Sequence, residues 1–479
     1  MNGSASLHDT TDDDGSHNRE LRWGIYLLLI ALAVGNMTGR LMAVNSVNRV
    51  DLERHFKDRT LQRPFLSAND RSRWLAIRAL VEHGTYEIDE VLDRHVWNTI
   101  DMVQHRGRDG ELHLYSSKPP LLYTLLAGEY WLINRVTGMT LGSHPYVVGR
   151  LMLVTINILP MVVMLFLIAK MAERLGITDM GSIFVVAAGC LGTFLTTFAV
   201  TLNNHTVAAV SATIALYAFA RIWFDRETRL RYYVAAGFFA AFTAANELPA
   251  LAYLALLGLA LLIRDRRAWL CGFLPAALLV VIAFFITNYA AHDCLTPPYM
   301  HKGTGESETD WYIYDYTIDG VKRQSYWQNR QGIDLGELSK WNYALHTTLG
   351  HHGIFSLTPV WLLSMVGLAI WCRQGDRQQR WLAMGIALLT IICLVFYIAL
   401  RPQVDRNYGG MTSGLRWMFW FAPLWLVAML PAADWFTRAR TRQTIALLLL
   451  SVSVFSASYP TWNPWTQPWL HRWLDYLHP

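Results

Sequence analysis

Long runs of this chain carry no charge at all. Gly24 to Asn36, Met180 to Leu202 and Ala268 to Tyr289 contain no Asp, Glu, Lys or Arg. Such runs approach the ~20 apolar residues needed to cross the hydrocarbon core of a bilayer. They must be helical there, because backbone N–H and C=O groups find no water in lipid. Their repetition excludes an ordinary soluble domain, in which about 25% of residues are charged; here the share is 16%, against 53% hydrophobic. Hydropathy places spans near 24–44, 145–170, 180–202, 205–223, 231–246, 247–263, 268–290, 353–371, 381–400, 414–432 and 443–459.

The basic residues orient these spans. Arg221, Arg226, Arg229 and Arg231 fill one short loop, and Arg264, Arg266 and Arg267 another. Arg373, Arg377 and Arg380 fill a third, and Arg438, Arg440 and Arg442 a fourth. The positive-inside tendency puts all four in the cytoplasm, and about eleven spans with a cytoplasmic N-terminus satisfy it. This parity requires 231–263 to form two short spans around an outer turn at Asn246-Glu247-Leu248-Pro249. It also requires Pro119 to Val136 to lie along the outer membrane surface, with Glu129 and Asn134 on its wetter face. If that segment crossed, Lys170 and Arg174 would move outside. The first apolar stretch lacks a small-residue cleavage site and reads as a retained span.

The expected organisation is therefore a disordered cytoplasmic tail over 1–22, then one transmembrane domain over 23–479. Long polar segments over 45–144 and 291–352 lie outside, with the shorter loop 401–413. The net charge of +5 belongs to orientation and not to nucleic-acid binding. The cysteines Cys190, Cys271, Cys294, Cys372 and Cys393 show no zinc-type spacing, and only Cys294 falls in a long outer segment. A divalent metal is compatible with the sequence, but no motif marks a place for one. Transporters commonly show two similar halves; no internal repeat is visible here. Whatever chemistry the chain performs, it performs outside.

Several outer residues carry that potential. Asp70 precedes a stretch of helical apolar spacing from Leu75 to Gly84 and reads either as an N-cap or as a site carboxylate, with Arg73 beside it. Tyr115-Ser-Ser-Lys118-Pro119-Pro120 places a cation at the start of a helix, because proline suits the first turn. A cation there opposes the helix dipole. It is accounted for by an anion bound between the two, or by a lysine snorkelling to the interface. Glu247 at membrane depth must line a cavity or reach water. Arg416 is either an interfacial anchor beside Trp417 or a two-pronged anion clamp. His351 and His352 invite a metal, but adjacent histidines diverge on a helix, so a solvated span end is expected. The aromatic residues of 291–352 (Trp311, Tyr312, Tyr314, Tyr316, Trp327, Trp341) suit sugar stacking or the interface. Trp462, Trp465, Trp469 and Trp473 read as an interfacial anchor.

The order Asp70-x-x-Arg73-Trp74, a short amphipathic helix, Tyr115-x-x-Lys118-Pro119-Pro120-Leu121, and Gly149-Arg150 opening a span resembles the GT-C superfamily of membrane glycosyltransferases. Its aminoarabinose lipid A transferase and protein O-mannosyltransferase branch is the nearest in pattern. The likeness is strongest over 65–225 and continues weakly through Gly353 to Pro359 and Tyr408 to Pro423. It implies an all-α, GT-C-like bundle of 11–13 transmembrane helices with juxtamembrane helices in the first outer loop. It also implies transfer of a sugar from a polyprenyl-phosphate donor to a lipid, glycan or protein acceptor, with inversion.

By the same resemblance Asp70 is the base or orienting carboxylate, and Lys118, with Arg416, lies at the donor phosphate. Many relatives carry a second aspartate at the outer start of the fourth span. Here Leu202-Asn203-Asn204-His205-Thr206 occupies that stretch, so His205 stands as second catalytic residue and Asn204 as a substrate contact. Arg73, Tyr115 and Glu247 complete the expected substrate-binding set. A bacterial inner membrane, with the site on its periplasmic face, is the expected location. Two other readings stay open: a carrier or flippase for lipid-linked sugars, and an inactive GT-C-like binding subunit.

Overall fold

The computed structural model describes residues 10–44, 64–303, 309–461 and 463–477. Among these, eight helices are long and apolar enough to cross a membrane: Asn18–Ala43, Pro145–Leu175, Asp179–Phe198, Asn204–Trp223, Arg266–His292, Arg377–Ala399, Arg416–Phe436 and Arg440–Ser458. The remaining expected spans are also helical but shorter. They are Leu230–Asn246, Leu248–Arg264 and, after a break at Thr358, Trp361–Gln374. The expectation of about eleven crossings thus meets eight helices of full spanning length. The first helix begins at Thr10, within the expected 1–22 tail; residues 1–9 lie outside the described set.

Arg416–Phe436 is the bundle's axis and is almost wholly buried. Trp361–Gln374 crosses it so closely that a Cβ on Gly367 would stand 1.9 Å from the Ala428 carbonyl oxygen. Small residues at such crossings let helix backbones approach within a bilayer. Pro431 sits inside the axial helix, where packed neighbours offset its missing N–H.

The outer segments are built to present their polar residues to one end of the bundle. Ser67, in extended backbone, accepts from the Asp70 N–H at 3.1 Å and caps the helix Ala68–Glu82. The N-cap is thus Ser67 and not Asp70. Two hairpins interrupt the expected all-α pattern. Met102–Arg106 pairs antiparallel with Leu112–Ser116, and Asp315–Ile318 with Val321–Gln324. The first turns through Asp109-Gly110, with Gly110 at φ +84°, the left-handed conformation that glycine adopts without strain.

That hairpin leads straight into Ser117-Lys118-Pro119 and the helix Pro120–Thr137. This helix starts where the two prolines placed it. Glu129 on it accepts a hydrogen bond from the Thr155 hydroxyl in an exposed position. Gly149 permits the Phe65 ring, whose Cε1 would lie 2.5 Å from an added Cβ. Phe65 in turn stacks on Trp74 at 4.4 Å, docking the first outer helix against the bundle.

Candidate active site

The outer ends of these elements enclose a cavity of about 470 Å³. Its lining includes five cations, Arg73, Lys118, Lys302, Arg401 and Arg416. It also includes the apolar Leu121, Leu122, Leu248, Phe396 and Leu400. A ligand that suits both kinds of side chain has an anionic head and a hydrocarbon body.

Two of the cations are paired. Lys118 Nζ lies 3.2 Å from Asp101, and Lys302 Nζ 2.6 Å from Asp405. Arg73, Arg401 and Arg416 form no ion pair with any carboxylate among the described residues. Arg73 bonds the side-chain oxygens of Asn69 at 2.8 Å and Asn204 at 2.6 Å. Arg401 lies 3.8 Å over the Trp417 ring. Burial, aided by the neighbouring Arg73 and Arg416 charges, pushes the Lys118 ammonium down to about 8. Arg73 is likewise pushed down, by burial and then by Arg416, to about 10. Burial works to raise the Asp101 carboxyl, but Lys118, Arg416 and Arg73 outweigh it and hold it low. Each of these shifts runs in the direction that a surplus of buried positive charge favours.

A second feature is a chain of hydrogen bonds across the cavity floor. Glu247, at the break after Leu230–Asn246, accepts from Asn204 Nδ2 at 2.8 Å and from the Tyr397 hydroxyl at 3.2 Å. Its Oε1 also contacts His205 Nδ1. His205 Nε2 in turn meets an Arg416 guanidinium nitrogen at 2.8 Å. Since arginine only donates, this fixes the tautomer: Nδ1–H donates to Glu247 and Nε2 accepts from Arg416. A neutral imidazole is thus held between a carboxylate and a guanidinium, with Arg416 braced by the Gly409 carbonyl at 2.9 Å.

The structure brings Arg73, Lys118, Asn204, His205, Glu247 and Arg416 of the expected set to one cavity. It leaves out two. Asp70 is wholly buried and does not line the cavity. Its Oδ1 accepts from the Trp74 indole at 2.8 Å and from the Leu202 N–H at 2.9 Å, and its Oδ2 accepts from Leu66 N–H at 3.4 Å. Burial pushes its carboxyl up to about 6, partly offset by those three donors. Asp70 therefore ties the first outer helix to the strand of chain that leads into Asn204 and His205. Tyr115 is also absent from the cavity wall. It stacks on His105 at 4.0 Å and reaches toward Glu87 at 3.4 Å in a separate small core.

Of the two asparagines, Asn203 is the cap, accepting from Thr206 N–H at 2.9 Å, which frees Asn204 for the cavity. His351 and His352 are not a solvated span end. His352 is fully buried, stacked on Tyr408 at 4.9 Å, and the pair packs against His346 and His471. Among the described residues no group of three or more His, Cys, Asp or Glu side chains is arranged to hold a metal ion, these packed histidines included. Trp465 and Trp469 pack on Phe198 and Phe455, whereas Trp462 lies outside the described residues.

Sequence reasoning missed Asp101, Lys302, Arg401, Asp405 and Tyr397. The first four sit in polar loops with no local pattern, and Tyr397 looks like one more aromatic residue at a span end. Only their meeting gives them meaning.

No family model matches the chain, nor does any curated protein sequence. Among solved structures, it is similar to the apo oligosaccharyltransferase of Archaeoglobus fulgidus at 12% identity and a TM-score of 0.46, over 94% of this chain and 57% of that one. It is similar to apo ArnT from Cupriavidus metallidurans at 11% identity and a TM-score of 0.46, over 89% of this chain and 62% of that one. The chain thus spans less than two thirds of either protein's length. These likenesses are loose, and the site's chemistry rests on its own residues.

Proposed function

We propose that the chain is a GT-C-type glycosyltransferase that moves a sugar from a polyprenyl-phosphate donor to a lipid, glycan or protein acceptor on the non-cytoplasmic face of a bacterial inner membrane. The observation that carries this reading is the cavity's make-up: buried Arg73 and half-buried Arg401 and Arg416, with no carboxylate ion pair among the described residues, lining it together with apolar side chains. A phosphodiester on a hydrocarbon chain satisfies both. Arg73, Lys118 and Arg416 take its phosphate oxygens through charge-assisted hydrogen bonds.

The acceptor nucleophile attacks the anomeric carbon from the side opposite the phosphate. The bond from that carbon to the phosphate oxygen breaks, and its electron pair leaves on the polyprenyl phosphate, whose new charge the same cations stabilise. The acceptor's proton needs a base. His205 Nε2 fills this role once Arg416 turns from it to the phosphate, and Glu247 steadies the imidazolium through Nδ1. Donor binding and base activation are coupled in this way through one guanidinium. Asp70 acts as a positioning residue: it holds the Leu202 backbone from which Asn204 and His205 enter the cavity.

Mass spectrometry of lipids copurified in mild detergent, wild type beside Lys118→Ala, tests the donor site. Polyprenyl phosphate or its glycosylated form in the wild type, depleted in the variant, is the expected result. Bulk phospholipid alone in both, with added carrier and an intact fold, would overturn it. Turnover in a His205→Ala variant that still binds donor then separates a transferase from a carrier, which needs no base.

A further inference from the structure

The second outer segment carries an apolar face that no described residue covers. Its helix Lys340–Thr348 buries Tyr343 and Thr347 on one side, and the Tyr343 hydroxyl donates to the Tyr397 carbonyl at 3.2 Å. That contact sets the helix against the last turn of the span Arg377–Ala399. On the opposite side Trp341 and Leu345 are 85% and 53% exposed, and Leu338 and Leu349 just beyond the helix ends are 81% and 61% exposed. In an aqueous loop a contiguous apolar patch of this kind is rare without something to cover it.

The neighbouring span shows what that is. Leu388, Ile391 and Val395 are exposed along Arg377–Ala399, as side chains facing acyl chains are. The Tyr343 contact with Tyr397 seats the outer helix on the end of this span, at the level where the bundle leaves the bilayer. Trp341 is a residue type favoured at the membrane interface. Lys340, exposed next to it, has the length to reach headgroups from a submerged stem.

We propose that the helix Lys340–Thr348 is an interfacial membrane anchor. Its Leu338, Trp341, Leu345 and Leu349 face lies among the acyl chains of the leaflet on the cavity's side, about 5–10 Å below the headgroups as amphipathic helices lie. Its occupant is the lipid surface itself. The span turn it packs on includes Tyr397, and Tyr397, Leu400 and Arg401 line the cavity, so the anchored helix fixes one side of the cavity mouth at membrane level. This inference does not depend on glycosyl transfer.

Site-directed spin labelling in phospholipid nanodiscs tests it. Nitroxides are placed at Leu338→Cys and Leu345→Cys, in full-length protein with Cys271, Cys294 and Cys372 changed to serine. Leu279→Cys in a span and Lys322→Cys on the second hairpin serve as lipid and water references. The expected result is collision with oxygen several-fold above collision with a water-soluble nickel chelate, as at Leu279→Cys. Nickel-dominated collision, as at Lys322→Cys, would place the helix in water and overturn the proposal. Labels shielded from both would mean that protein, a second copy or another part of this chain, covers the face, and would overturn it equally. A label-free check is available should the cysteine variants misfold. Fluorescence quenching by brominated lipid should be greater in wild type than in Trp341→Phe, and equal quenching would count against the anchor.

Discussion

At the end of the bundle that carries the arginine loops, Arg22 lies 2.8 Å from Glu173 and 2.6 Å from Asp179. Arg174 and Arg221 share Asp225 at 2.5 and 2.9 Å, and Arg221 and Arg229 share Glu227 at 3.0 Å. At the other end Arg73, Arg401 and Arg416 line a cavity with no such partner among the described residues. The same side chain does two kinds of work. In these loops at least one partner of several pairs is open to water, Arg174 at 51% and Arg229 at 59%, and solvent screening there keeps the stabilisation small. In the cavity an unneutralised cation keeps a desolvation penalty, and a bound anion relieves it. The loops spend their charge on orientation and local order, whereas the cavity holds its charge for a ligand.

That contrast can be broken by experiment, and the largest effect should come from the floor of the cavity. Glu247→Gln should lower turnover by about 10²–10⁴-fold, the range for positioned acid–base groups, while donor affinity changes only a few-fold. Loss of affinity matching the loss of turnover would make Glu247 a binding residue instead. Next, Arg416→Ala and Arg73→Ala should each weaken binding of polyprenyl phosphate by about 10–150-fold, since a charge-assisted hydrogen bond contributes about 1.5–3 kcal/mol. Titration by tryptophan fluorescence would reveal it, and unchanged affinity in both would erase the distinction between the two ends.

Donor affinity should also fall as pH rises through about 8, where Lys118 loses its proton. The sign follows from linkage: the charged ammonium binds the anion, so binding takes up a proton above that pH. The limiting slope is about tenfold per pH unit, and Lys118→Arg should flatten the profile. Asp70→Asn should lower stability by about 1–3 kcal/mol, because an amide cannot accept from all three buried donors as the carboxylate does. Its thermal midpoint should drop while donor affinity holds. The smallest effect belongs to the arginine loops, where Arg174→Ala should cost no more than about 1 kcal/mol and leave donor binding unchanged.

The comparison also explains what was readable in advance. Lys118 was marked by its own neighbours, since proline suits the first turn of a helix and a cation before it is conspicuous. Glu247 was marked by standing in an apolar run. Asp70 looked like a site carboxylate from its sequence context, yet its carboxylate spends its acceptor capacity on Trp74, Leu66 and Leu202. Residues 70 and 202 meet only in the folded chain. Tyr115 failed for a local reason: on the strand Leu112–Ser116 alternate side chains take opposite faces, and Tyr115 packs on His105 away from the cavity. The all-α expectation passed over the hairpin, although Asp109-Gly110 is a turn signal of the kind hairpins use. His351 and His352 were misplaced because the residues that bury them, Tyr408 and His471, are distant in sequence.

Sequence by itself determined that this chain lives in a membrane, roughly where its helices run, and which loops hold the orienting arginines. Those properties follow from transfer costs that each residue contributes locally. Only the tertiary structure decided which charges stay unpaired. Arg416 and His205 stand 211 positions apart and meet at 2.8 Å, and no local pattern encodes that meeting. Whether a buried cation is neutralised or held ready depends on which loops the packed bundle brings together, because a Coulomb interaction is set by distance in space and by what solvent remains between the charges.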